Sequence, residues 1–156
     1  MIMTNLFRRG MALISAGAIL LLSACASYPA DDTPEGGPQV LMAYVDAFNA
    51  RDIDALGNLI HPDIEWWSIT DDGAELVFMG RDTLTDNMED YFDEADAVTT
   101  ELSGWAIAGP YVSANETVRW TDEDGVQRSQ AALVIYELSG DDQVRRVWYY
   151  PAVDAE

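Results

Sequence analysis

The sequence predicts an α+β domain in which three helices precede a sheet built mainly from long strands. Two observations support this fold class. Between residues 41 and 95, apolar side chains recur every three or four positions in three segments, which is the periodicity of helices packed on one face. From residue 98 onward, four segments with β-branched and aromatic residues are separated by short breaks of Gly, Pro, Ser and Asp. Helices followed by an antiparallel meander are typical of α+β domains.

The first two helices are predicted on either side of the Arg51-Asp52 pair. Pro38 is suited to the first turn of the first helix, and the apolar face of that helix contains Leu41, Tyr44, Val45 and Phe48. Asp52 can cap the second helix. Its apolar face contains Ile53, Leu56, Leu59 and Ile60. Because the residue before a proline is disfavoured in the α region, we expect His61-Pro62 to end this helix.

A hairpin and a third helix follow. Residues 64–70 and 74–79 are predicted strands, and Asp71-Asp72-Gly73 is the turn between them. The third helix follows Gly80, and its apolar face contains Leu84, Met88, Tyr91, Phe92 and Ala95. Four longer strands are expected at 98–107, 111–121, 126–138 and 144–150.

The composition excludes several classes of protein. Among 156 residues, 28 are acidic and 8 are basic, so the formal net charge is −20. Such a chain repels the phosphates of nucleic acid, and we predict no nucleic-acid partner. One cysteine cannot form a disulfide within the chain, and one Cys with one His cannot complete a structural zinc site. We predict no metal and no cofactor.

Residues 1–24 are predicted to be a lipoprotein signal peptide. Arg8 and Arg9 precede an apolar run over residues 11–22, which has the length of a secretory signal and is too short to span a membrane. The run ends in Leu22-Ser23-Ala24-Cys25, which resembles the lipobox of bacterial lipoproteins. That resemblance implies cleavage before Cys25 and a lipid anchor on its thiol. The alternative is an ordinary signal peptide that leaves a spare thiol.

The predicted destination is the bacterial cell envelope. By the same resemblance, Ala rather than Asp at position 26 implies sorting to the outer membrane, on its periplasmic face. The Arg pair also resembles a twin-arginine signal, but Phe7 stands where that motif prefers Ser or Thr. Residues 25–37 are rich in Pro, Gly and acidic residues and are predicted to be a flexible tether. The remaining residues, 38–152, form one domain's length of chain.

The order of helix, helix, hairpin, helix and long meander resembles the NTF2-like superfamily, and within it the SnoaL-like and ketosteroid-isomerase-like branch. The resemblance is carried by residues 44–56 with their Asn49-x-x-Asp52 sequence, by His61-Pro62-Asp63-Ile64, and by Gly80-Arg81-Asp82-Thr83-Leu84. It implies an NTF2-like cone, in which three helices pack on a curved antiparallel sheet of about six strands around a hydrophobic pocket. Members are commonly dimers, so we expect a homodimer.

The resemblance also indicates where catalytic groups are expected. Tyr44 matches the tyrosine of the first helix that donates to the substrate oxyanion in ketosteroid-isomerase-like members. Ser68 stands where an aspartate general base is expected, and residues 131–136 of the penultimate strand contain no acid. Proton abstraction needs a group whose pKa lies near the working pH, and serine alone does not provide one. The resemblance therefore supports a pocket more strongly than the best-known reaction of the branch.

Strand alternation adds further candidates. Glu116 shares a face with apolar residues, so it is either a carboxyl group of raised pKa in a cavity or a group at an edge, at a turn or beside an arginine. We favour the second interpretation. Arg119, on the opposite face, binds an anionic ligand or forms an exposed ion pair, and we favour the ion pair. The complete set of pocket candidates is Tyr44, Trp66, Ser68, Tyr91, Glu116, Arg119, Trp120 and Trp148.

Alternatives apply to the other candidates as well. The aromatic rings suit a hydrophobic ligand, but each is also explained by core or dimer packing. His61 is a possible general base, although a ring before proline usually caps carbonyls or meets solvent. The acidic pairs at 71–72, 122–124 and 141–142 fall in turns, where solvation is expected.

Two functions follow from these observations. The first is an envelope lipoprotein that binds a small hydrophobic ligand or a protein partner without catalysis, and the missing acids favour it. The second is a SnoaL-like enzyme, an isomerase, dehydratase or hydrolase, that acts by acid–base chemistry through Tyr44 and an acid such as Glu116, Asp63 or Glu65. A carboxyl group near Tyr44 in the cavity would favour the enzyme.

Overall fold

A computed structural model describes residues 37–94 and 98–155 of the chain. The predicted signal peptide, Cys25, nearly all of the predicted tether, and Ala95 lie outside the described residues. The helices are α1 (Gly37–Asn49), α2 (Ile53–Asn58) and α3 (Arg81–Glu94). The strands are β1 (Ile60–Thr70), β2 (Gly73–Met79), β3 (Thr99–Ala108), β4 (Tyr111–Thr121), β5 (Gln127–Leu138), β6 (Val144–Tyr149) and β7 (Val153–Asp154).

The strands form one curved, open sheet in the order β2-β1-β6-β5-β4-β3, with β7 paired to β5. Neighbouring strands are antiparallel except for β1 and β6, which run parallel. The predicted α+β fold is confirmed, and the sheet is mixed rather than wholly antiparallel. β6 pairs with β1 only after a helix and four other strands have intervened in the chain, so the local sequence pattern does not indicate this pairing.

Helices α1, α2 and α3 cover one face of the sheet and bury an apolar core against it. Strand alternation places alternate side chains of β4, β5 and β6 on this face. Among them, fully or almost fully buried are Val112, Ala114, Val134, Tyr136, Val144 and Val147. From the helices, Leu41 of α1, Leu56 of α2 and Leu84 of α3 pack against these residues. The core therefore lies between the helices and the concave side of the sheet.

The sequence predicted that His61-Pro62 ends the second helix, and this prediction was wrong. α2 ends at Asn58, and both residues lie in β1. Ile60 is buried, as expected, but it pairs with Val144 in the sheet, and the Val144 amide donates to the Leu59 carbonyl. The regular ladder with β6 resumes only at Glu65, so the missing amide hydrogen of Pro62 falls where no bond is required.

The Asn49-x-x-Asp52 sequence connects α1 to both α2 and the sheet. The Asn49 side chain donates to the Thr100 carbonyl and accepts from the Thr100 amide, each over 2.8 Å. Asp52 is the N-cap of α2, where its carboxylate accepts from the Ala55 amide at 2.9 Å. These bonds fix the C-terminal end of α1 against β3, and α1 supplies one wall of the cavity described below.

A β-bulge bends β3 at Gly104. The register with β4 shifts between Ser103 and Ala106, and Gly104 has a φ of 68°. A Cβ atom at this position would lie 2.8 Å from Nδ2 of Asn115. Glycine is therefore required by both the backbone conformation and the close approach of β4.

Within 37–94 and 98–155, no helix has both the length and the apolar character needed to cross a membrane.

Candidate functional site

A cavity of about 60 Å³ lies between α1, α3 and the concave face of the sheet. Its walls are mainly apolar and aromatic. It is lined by Tyr44, Val45, Phe48, Trp66, Val77, Phe78, Met88, Tyr91, Val98, Thr100, Glu116, Val118 and Tyr149. A single water needs about 10–15 Å³ of such space, so the cavity has room for several waters or a small organic molecule.

Glu116 provides the carboxyl group of this cavity. It projects from β4, whose neighbouring core-facing residues Ala114 and Val118 are buried. Its Oε2 accepts a hydrogen bond from the Tyr136 hydroxyl at 3.0 Å, and its Oε1 accepts one from the Tyr149 hydroxyl at 3.2 Å. Both oxygens are therefore held by hydroxyl donors from β5 and β6, and the orientation of the carboxyl group is set by the sheet.

Two opposing effects act on the pKa of Glu116. Desolvation by burial raises it above its ordinary value of 4.5, while the hydrogen bonds from Tyr136 and Tyr149 lower it, and desolvation is the larger effect. In turn, Glu116 adds to burial in raising the pKa of Tyr44, Tyr136 and Tyr149. All three tyrosines therefore remain hydrogen donors at any physiological pH.

Tyr44 lies on α1 and lines the same cavity. The residue is 4% exposed, and its ring meets that of Tyr136 edge to face with 6.4 Å between centroids. Among the described residues, none forms a hydrogen bond with the Tyr44 hydroxyl. The Tyr44 hydroxyl is therefore an uncommitted donor in the cavity that Glu116 also lines.

Aromatic rings form much of the remaining wall. Trp66 of β1 stacks on Tyr149 of β6 with centroids 6.1 Å apart. Phe48 of α1 stacks on Tyr91 of α3 at 6.3 Å. Tyr91 is partly exposed, so this second pair lies at the more open side of the cavity. A ligand in the cavity would contact aromatic rings from both the sheet and the helices.

Four of the eight predicted pocket residues meet in this cavity, namely Tyr44, Trp66, Tyr91 and Glu116. The interpretation favoured for Glu116 was wrong. β4 lies between β3 and β5 and is not an edge strand, and the hydrogen-bond partners of Glu116 are tyrosines rather than an arginine. The roles of these four residues toward a ligand stay a prediction.

The other four predicted pocket residues do not line the cavity. Ser68 is buried in β1 beyond Trp66, and Trp120 lies at the partly exposed end of β4. Arg119 faces outward and pairs with Glu101 at 2.8 Å, the exposed ion pair that was favoured. Trp148 lies on the outer face of the sheet, where its ring is 5.4 Å from the Arg146 guanidinium carbon. Each of the four side chains is outside the cavity because it lies on the opposite face of its strand or too far along the strand.

The remaining acid–base candidates also lie elsewhere. His61 accepts a hydrogen bond at Nδ1 from the Asp63 amide, a local contact within β1. Glu65 pairs with Arg146 at 2.7 Å, and this arginine lowers the pKa of the Glu65 carboxyl. Within the described parts of the chain, no cluster of three or more His, Cys, Asp or Glu side chains could hold a metal ion.

Sequence reasoning missed Tyr136 and Tyr149. Tyr136 has the same parity as buried Val134 and Leu138, and Tyr149 has the same parity as Val147, so strand alternation predicts that both face the core. Their hydrogen bonds to Glu116 could not be predicted from the sequence, because these bonds depend on the register among β4, β5 and β6.

Comparisons with known proteins agree with this architecture. Residues 41–148 match the family described as SnoaL-like domain. Because the match spans more than half of the chain, the protein belongs to that family. No curated protein matches the sequence.

Solved structures of the same fold include three at low sequence identity. A putative ketosteroid isomerase from Kribbella flavida has a TM-score of 0.62 and 16% identity, over 78% of this chain and 81% of that one. An NTF2-like protein of unknown function from Cytophaga hutchinsonii has a TM-score of 0.57 and 16% identity, over 76% and 100%. A Mycobacterium tuberculosis protein solved with estradiol-17β-hemisuccinate has a TM-score of 0.61 and 9% identity, over 75% and 97%. At these identities the likeness establishes an NTF2-like fold.

Proposed function

We propose that this protein binds a small, mainly apolar ligand in the cavity and holds a polar atom of that ligand with Glu116 and Tyr44. The observation that carries this proposal is a space of about 60 Å³ with apolar and aromatic walls and one partly buried carboxyl group. Such concave apolar sites with a few converging polar groups are the usual ligand sites of proteins. The estradiol-derivative complex of the M. tuberculosis structure supports ligand binding within this fold.

Native mass spectrometry of the chain purified from its own host tests this function. We expect a small molecule to be retained by the wild-type chain and lost from Val118→Phe, because Val118 lines the cavity beside Glu116 and a larger ring would fill it. The control is Val126→Phe, since Val126 is 47% exposed and outside the cavity. Equal retention by both variants would contradict binding at this site.

A second candidate function is acid–base catalysis. It is favoured by the pairing of a carboxyl group of raised pKa with the uncommitted Tyr44 hydroxyl in one cavity. Glu116 would take a proton from a carbon of the substrate, and Tyr44 would donate to the oxygen that gains the charge. Deuterium exchange into the retained ligand in D₂O distinguishes the two functions. The enzyme predicts exchange with wild type and none with Glu116→Gln, whereas a binding protein gives no exchange with either.

We propose further that the protein is exported and anchored by lipid at Cys25, on the periplasmic face of the outer membrane. The supporting observations are the Leu22-Ser23-Ala24-Cys25 sequence after an apolar run and Ala at position 26. More than one acyl chain is needed for stable anchoring, as lipoproteins have. Labelled palmitate should enter the wild-type chain and not Cys25→Ser, and the variant should leave the membrane fraction. Unlabelled wild-type protein would exclude the anchor.

We propose a homodimer as the assembly. Large side chains lie partly or well exposed on the outer face of the sheet, including Trp148, Tyr111 and Leu133, the last two being 43% exposed. A second copy of this chain would cover such a face. Light scattering should give twice the chain mass for wild type and the single mass for Leu133→Asp. Glu123→Gln, in an exposed turn, is the control that should remain dimeric.

A further inference from the structure

Among the described residues, the carboxyl group of Glu116 has two hydroxyl donors and no ion pair with an arginine. Each of its oxygens accepts from one tyrosine, an arrangement that favours the ionised form. Within 37–94 and 98–155, the arginines that form ion pairs do so with other acids, such as Arg146 with Glu65 and Glu137. A partly buried carboxylate without a countercharge is costly, and it is neutralised either by a proton or by a cation that enters the cavity. Above the pKa of Glu116 the cation is the favoured partner.

The walls of the cavity suit a cation that carries apolar groups. The rings of Phe48, Trp66, Tyr91 and Tyr149 border the same space as Glu116. Aromatic faces attract cations through their quadrupole, and alkyl substituents on the cation would pack on the apolar remainder. A strongly hydrated metal ion would find one carboxylate and few other oxygens here, which is a poor set of ligands.

The net charge of the whole chain also favours the binding of a cation. A formal net charge of −20 raises the concentration of cations near the protein and lowers that of anions. The cavity, about 60 Å³, has room for a small alkyl group around the charged nitrogen.

We propose that the cavity binds a small alkylammonium ion, with its charge on Glu116 and its alkyl groups against the aromatic rings. This inference rests on the proposed function, because it names the class of ligand for the same cavity. No bond is formed or broken.

Three probes of the same shape test the inference: tert-butylammonium, tert-butanol and pivalate. Calorimetric titration of the purified full-length chain at pH 8 should rank their affinities in that order. A charge-assisted contact exceeds a neutral one by about 1–1.5 kcal/mol, so the ammonium should bind roughly tenfold more tightly than the alcohol. In Glu116→Gln, this preference should disappear while the affinity for the alcohol stays within about threefold.

Glu75→Gln is the matched control, because it removes one negative charge from an exposed position on β2. It should keep the ammonium preference. Should Glu116→Gln fail to fold, the ¹³C carboxyl shift of Glu116 in the wild-type chain gives the same information. Near the midpoint of its titration, ammonium should move this signal to the ionised position and tert-butanol should not.

The outcomes separate the inference from the proposed function. If tert-butanol binds as tightly as the ammonium, or if Glu75→Gln loses the preference as fully as Glu116→Gln, the ammonium inference is overturned and the ligand cavity remains. If none of the probes binds, the ammonium inference fails, and if Val118→Phe also leaves a retained ligand in place, the cavity function fails with it.

Discussion

The carboxyl group of Glu116 decides the charge of the cavity, and its protonation is coupled to folding. Burial raises its pKa in the folded chain above the ordinary value of 4.5. Folding therefore favours the protonated form. The resulting stability is complete below about pH 4.5 and is lost as the pH rises through the folded-state pKa.

Glu116→Gln should remove this dependence, because glutamine does not titrate. Each unit by which the folded-state pKa exceeds the unfolded one corresponds to about 1.4 kcal/mol of stability lost at high pH. We therefore expect the free energy of unfolding of the variant, relative to wild type, to increase between pH 4.5 and 8. Urea denaturation at a series of pH values measures it. A difference that does not change with pH would show that Glu116 has the same pKa in both states.

Tyr136 and Tyr149 stabilise the ionised form of Glu116 through their hydroxyl groups. Tyr136→Phe and Tyr149→Phe should each raise the pKa of Glu116 further, since each removes a hydrogen bond that lowers it. Titration of the Glu116 ¹³C carboxyl signal measures this directly. Tyr111→Phe is the control, because Tyr111 lies on the outer face and should leave the titration unchanged. An unchanged pKa in both cavity variants would contradict the hydrogen-bond geometry.

Helix α1 depends on its connection to β3 at Asn49. Asn49→Ala removes two hydrogen bonds to the Thr100 backbone, and we expect a loss of about 1–2 kcal/mol in the free energy of unfolding. Urea denaturation gives the value. Asp46→Ala, on the exposed face of the same helix, should change stability by less than about 0.5 kcal/mol. Equal effects from both substitutions would mean that the Asn49 side chain contributes nothing specific.

Most elements were predictable because their signals are local. The 111–121 strand was predicted with the bounds it has in the structure, and the third helix was placed correctly after Gly80. The second helix was predicted too long. Ile60 satisfies both a helical and a strand pattern, and its pairing with Val144 decides between them. β7 has only two residues and is defined by its pairing with β5, so no sequence periodicity predicts it.

The net charge of −20 affects the whole molecule. Like charges repel within the compact fold, and salt screens this repulsion over a Debye length that falls from about 30 Å at 0.01 M to about 3 Å at 1 M. We expect the melting temperature to rise between these NaCl concentrations. Calorimetric scans in NaCl and KCl measure it. A rise in only one salt would indicate specific ion binding, and no rise in either would contradict the screening argument.

The chain's own pattern was sufficient to predict the fold class and the faces on which Tyr44 and Glu116 lie. Periodicity and strand parity are properties of neighbouring residues, so they can be read without the rest of the molecule. The sequence alone did not predict the hydrogen bonds of Glu116 with Tyr136 and Tyr149, and it did not predict the parallel pairing of β1 with β6. These contacts join segments 20 to about 80 residues apart, and their geometry depends on sheet register and on whether the facing side chains fill the space between helices and sheet.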